Sequence, residues 1–97
     1  MVEPYQGATL EEKLLHIAPA DWQAAMAYRR ECLEAGRCMR FVAMAEAIGG
    51  ELNDDSRARA VVILERMVRS GLAEITDTPA LFRARSAFMD RRFLEKQ

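Results

Sequence analysis

The chain has little of what most catalytic sites need. It has one histidine, His16, and two cysteines, Cys32 and Cys38, in 97 residues. A lone imidazole has no second histidine with which to build a metal pair or a proton relay. It reads as a surface residue in the last turn of a short helix. Cys32 and Cys38 flank a helix break and lack Cys-x-x-Cys spacing. Two soft ligands are too few for zinc, so packing is their expected use, with a redox pair as the alternative. There is no glycine-rich phosphate loop and no Ser/His/Asp or Cys/His arrangement. The adjacent carboxylates Glu11-Glu12 and Asp54-Asp55 would point in different directions on a helix, which makes poor acid–base couples. The expectation is a non-enzyme without a cofactor. Lysine is also scarce, since every basic residue except Lys13 and Lys96 is arginine. Long apolar runs are missing as well. The opening MVEPYQGATLEEKLLHI carries acids and no apolar run of seven, so neither a secretory leader nor a membrane span is expected. A cytoplasmic protein with reduced thiols is the expectation that follows.

What is present fits one small, mostly helical domain. Hydrophobic residues make up 51% of the chain, enough for a modest core without metal or disulfide. The net charge of −1 excludes a global basic field. Residues 1–36 lean acidic and residues 37–97 lean basic, but the asymmetry is mild.

Residues 1–8 read as a loose arm. Thr9 followed by Glu12 forms a capping-box pattern ahead of a helix over about 10–17, which Pro19 stops. Asp21 then caps a second helix with Trp22, Ala25, Met26, Cys32 and Leu33 on one face, closed by Gly36. A third helix over about 38–48 gathers Phe41, Val42, Ala45 and Ile48 and ends at Gly49-Gly50. After the polar loop ELNDDS comes the longest helix. Its spacing puts Val61, Leu64 and Val68 inward beside Ala60 and Met67, with Arg59, Arg66 and Ser70 opposite and Val62 and Ile63 on the shoulders. Gly71 closes it. LAEIT and ALFRARS then alternate as two strands of a hairpin around Asp77-Thr78-Pro79. In the competing reading, Thr78 and Pro79 launch another helix, giving an all-α bundle of five helices. Residues 87–96 form a terminal helix or arm in either case.

The stretch FVAMAEAIGG, the run SRARAVVILERMVRSGLAEI and the tail TDTPALFRARSAF together resemble a winged helix-turn-helix domain over residues 20–86. The first would be the positioning helix, the second the recognition helix running into the wing, and the third the wing and returning strand. The resemblance implies a DNA-binding protein. Ser56, Arg57, Arg59 and Arg66 would face DNA, Arg83 and Arg85 would sit on the wing, and Arg37 and Arg40 would touch the backbone. The turn GGELNDDS departs from the pattern, being longer than the tight link and carrying Glu51, Asp54 and Asp55 near the recognition helix. The expected role is a small transcriptional regulator acting as a homodimer, with Phe88, Met89, Phe93 and Leu94 as candidate interface residues. The alternative is a protein-interaction module that does not bind DNA, which apolar Val62 and Ile63 on the shoulders would suit.

Overall fold

A computed structural model describes Tyr5, residues 9–78 and residues 80–85. The rest of the expected arm, Pro79 of the turn and the expected C-terminal helix, with Phe88, Met89, Phe93 and Leu94, lie outside the described residues. The order is α1 Leu10–Leu15, α2 Pro19–Ala35, β1 Met39–Arg40, α3 Phe41–Gly49, α4 Asp54–Arg69, β2 Ala73–Ile75 and β3 Leu81–Ala84. The chain is thus mostly helical with a small antiparallel sheet, in the strand order β1-β3-β2. The all-helical alternative of five helices is not what forms. The alternation of Leu81 and Arg83 against Phe82 and Ala84 becomes a strand, with Ala73 opposite Ala84 and Ile75 opposite Phe82. No described helix is long and apolar enough to cross a membrane.

Local chemistry explains most boundaries. Thr9 caps α1 by accepting from the Glu12 amide, as its spacing predicts. Proline opens α2 as well as ending what precedes it. Pro19 stands in the first turn, where its missing N–H would be unpaired anyway, and Ala18 is a cap without a side-chain bond. Asp21 is therefore not the cap that its position suggested. Gly36 ends α2 in the left-handed region at φ 68°, and the following Arg37 amide returns to the Cys32 carbonyl at 3.0 Å. The third helix begins at Phe41 rather than 38, because Met39 and Arg40 are extended and pair with Phe82 and Leu81. The turn before α4 is also shorter than expected. Only residues 50–53 separate α3 from α4, since Gly49 belongs to one helix and Asp54 to the other.

The core lies where α2, α3, α4 and the inner face of the sheet meet. Ala25, Cys32, Met39, Met44, Ala45, Ala60, Ile63, Leu64, Met67 and Ala73 are buried together there. The inward arc of α4 differs from the expected one. It runs through Ser56, Ala60, Ile63, Leu64 and Met67, whereas Val61 is 52% exposed. At about 100° per residue this is a rotation of roughly 60°. Val62, expected on an outer shoulder, is buried too, because α1 packs along that flank of α4.

Candidate nucleic-acid interface

The arginines fall into two groups with different environments. On α4, Arg59 and Arg66 occur seven residues apart and so share one flank, the flank along which the N-terminal segment runs. Arg59 donates from Nη1 to Asp21 Oδ2 at 2.8 Å, with side chains only 23% and 9% exposed. Its Nε lies 3.0 Å from Asp55 Oδ2, but the angle does not make a hydrogen bond, so that contact is electrostatic. The bond to Asp21 raises the Arg59 pKa more than burial lowers it, and Arg59 stays charged. Arg66 donates to the Leu14 carbonyl at 2.6 Å, and its guanidinium stands 5.7 Å from the Trp22 ring centroid. Arg69 bonds Glu65 at 2.9 Å and Glu11 at 3.4 Å. Arg57 lies 3.7 Å from Asp54 and is half-exposed.

These positions alter the DNA-facing set that the resemblance implied. Ser56 is fully buried, closing the α4 capping box with Asn53, so it cannot present its hydroxyl outward. Arg59 points into the protein. Arg66 is spent on a backbone carbonyl and an indole ring. Arg57 and Arg66 are the exposed arginines of that set, Arg57 beside the exposed Asp54. Three of the four arginines of α4, Arg57, Arg59 and Arg69, meet five carboxylates: Asp21, Asp54, Asp55, Glu11 and Glu65.

The sheet end is more basic. Arg37 and Arg40 precede α3, and Arg83 and Arg85 alternate with the inward Phe82 and Ala84. Among the described residues, Glu31 and Glu74 pair with three of them. Glu31 stands 3.3 Å from Arg37, and Glu74 lies 3.7 Å from Arg83 and 3.2 Å from Arg85. Arg40 is exposed and has no ion pair among the described residues. Its backbone N–H donates to the Tyr28 hydroxyl at 2.9 Å, which fixes β1 against α2. A cleft of about 450 Å³ opens there between Tyr28, Arg37, Cys38, Arg40 and Leu81. A second of about 250 Å³ shares Arg37 and Cys38 and reaches Arg83. Among the described residues, no group of three or more His, Cys, Asp or Glu could hold a metal ion.

Sequence reasoning missed the partners. Asp21, Ala25, Arg29 and Cys32 form one buried stripe of α2, so an acid and a base sit on its apolar face. A charge on the inward stripe was the available signal. Arg29 donates from Nε to the Leu72 carbonyl at 2.9 Å, and the Arg85 amide uses the same oxygen at 2.9 Å. That oxygen joins α2, the end of α4 and the returning strand. Tyr5 was invisible in a segment read as loose, yet its hydroxyl donates to Asp21 at 2.9 Å. Burial first, then the bond to Asp21 and the charge of Asp21, push the Tyr5 phenol above its ordinary value of 10.0.

The sign of that shift gives a pH prediction. A folded-state pKa above the unfolded one contributes stability that is complete below pH ~10 and lost as pH rises toward the folded value. Urea midpoints should therefore fall above pH ~10, and Tyr5→Phe should flatten that fall. Burial raises Tyr28 in the same direction, so Tyr5→Phe removes only part of the slope. An alkaline slope identical in both proteins would show that Tyr5 is not held as described.

No protein-family model, no curated protein and no solved structure matches this chain.

Proposed function

We propose that the chain is a winged-helix DNA-binding domain that acts as a homodimer, with its strongest phosphate contacts on the sheet side. The observation that carries this reading is the arrangement around β3. A strand ahead of the helix pair (β1) and a strand behind it (β2) flank β3, and in this reading the connection from β2 to β3 would be the wing. Arg40, Arg83 and Arg85 fall on one face of the sheet, where Glu74 pairs with the last two. Phosphate attraction is sequence-independent and salt-sensitive, so this face would set affinity more than base choice.

Titration of mixed-sequence duplex DNA at two salt concentrations tests this. Binding should weaken steeply with salt, and Arg40→Ala should lower the log–log salt slope by about one unit. Light scattering on the same samples gives the protein mass and so tests the dimer. Absence of binding at low salt would overturn the DNA reading.

A second reading is supported by a different observation. The open stripe of α4 is Asp54, Ala58, Val61 and Glu65, with Val61 52% exposed, and three of the helix's four arginines are paired with acids of the chain itself. An apolar centre rimmed by carboxylates suits a protein surface better than a phosphate-lined groove. A protein-interaction module is the reading that a failed DNA titration would leave.

A further inference from the structure

We propose that Tyr5 and residues 9–18 form a displaceable strap, which competes with DNA for one flank of helix α4. The inference rests on the DNA-binding reading and adds a regulatory contact to it.

Three polar contacts tie the strap to the rest of the chain, through Asp21, Arg66 and Arg69, and one bond closes it on itself. Tyr5 donates from its hydroxyl to Asp21 at 2.9 Å and from its amide to the His16 carbonyl at 2.8 Å. Arg66 takes the Leu14 carbonyl and Arg69 takes Glu11. Leu14 is the one buried residue of α1, Tyr5 and Ile17 are partly buried against the core, and Leu15 is 74% exposed. A helix of six residues does not persist alone in water, so α1 exists only while it is docked. Such a segment opens at a lower free energy than the core beneath it.

What the strap engages decides its consequence. Arg59, Arg66 and Arg69 are three of the four arginines of α4, and Val62 on the same flank is 5% exposed. The docked strap gives the Leu14 carbonyl to Arg66 and Glu11 to Arg69, whereas Arg59 is held by Asp21 of α2. With it displaced, Arg66 and Arg69 lose Leu14 and Glu11, and their planar forks match phosphate oxygens. A duplex would then meet Arg66 and Arg69 with one carboxylate fewer beside them, while Asp21, Asp55 and Glu65 stay in place. DNA would bind the open form better, so the fraction open scales the apparent affinity.

The test uses the full chain and variants that change no charge. Tyr5→Phe/Leu14→Ala removes one polar anchor and the one buried α1 side chain, and Tyr5→Phe alone is the milder second variant. Hydrogen exchange reads the α1 amides, and titration of mixed-sequence duplex DNA at low salt reads affinity. Faster α1 exchange with core amides still protected, together with DNA binding tightened by roughly 10-fold, is the expected result. The single variant should show the same direction with a smaller change. Faster exchange with affinity equal to that of the wild type, or unchanged exchange in both variants, would overturn the strap while leaving DNA binding intact. If neither wild type nor variant binds DNA, the DNA reading falls and the strap inference falls with it.

Discussion

Replacing Asp21 with alanine should destabilise the fold by about 3 kcal/mol, because it strands a largely buried guanidinium. In the native chain Asp21 Oδ2 receives two donors, Arg59 Nη1 at 2.8 Å and the Tyr5 hydroxyl at 2.9 Å. Without that carboxylate, Arg59 keeps only Asp55, whose side chain is 75% exposed and whose contact with Nε is not a hydrogen bond. The cost lies mainly in the uncompensated charge, so removing the charge should recover much of it. Asp21→Ala/Arg59→Met should therefore be more stable than Asp21→Ala, with the coupling read from a double-mutant cycle of urea melts. For a domain of this length, ~3 kcal/mol corresponds to a midpoint shift of roughly 10–20 °C. A loss below ~1 kcal/mol, the size expected of an exposed pair, would mean that water reaches the Arg59 site freely.

That one pair also shows how far the sequence could be read. The hairpin was legible because Leu81 to Ala84 alternate and a turn precedes them, and both signals are local. The cap of α4 was legible as a set, and Asn53 is the member that bonds the Ser56 amide, at 2.8 Å. The rotation of α4 was not legible. Four successive apolar residues from Val61 to Leu64 fit several inward arcs, and α1 selects one by burying Val62 and leaving Val61 outside. Strand β1 was illegible for a related reason. Two residues carry no period, and the extended backbone of Arg40 (φ −109°, ψ 138°) is stabilised by pairing with a strand some forty residues away. The candidate site suffered most. An arginine on the outward side of a helical wheel reads as available to DNA until a second segment arrives with an acid. Asp21 arrives from the buried stripe of α2, and Glu11 and the Leu14 carbonyl from α1, whose docking depends on the fold already being made.

The close approach of α3 to α4 sets a second large effect, at Gly49. A Cβ built there would fall 2.7 Å from the Ser56 Cβ and 3.2 Å from the Arg59 Nη2, both tighter than ordinary contact. Neither neighbour is free to retreat. Ser56 is fully buried and held three ways, donating its amide to Asn53 Oδ1 at 2.8 Å, accepting the Asn53 amide at 2.9 Å and donating its hydroxyl to the Asn53 carbonyl at 3.1 Å. Arg59 is fixed by Asp21. Alanine has the better helix propensity by up to ~1 kcal/mol. Overpacking a contact with no slack costs ~1–3 kcal/mol, so repulsion wins and Gly49→Ala should destabilise by about 2 kcal/mol. Ser56→Gly removes the clashing Cβ but also the capping-box hydroxyl, so alone it should destabilise too. Combined with Gly49→Ala, its cost should be less than additive, because the added methyl enters the vacated space. Urea melts of the two single variants and the double variant measure the coupling directly. A Gly49→Ala protein more stable than wild type would mean that the helices separate cheaply, and that the Asn53–Ser56 cap does not clamp the start of α4 against α3.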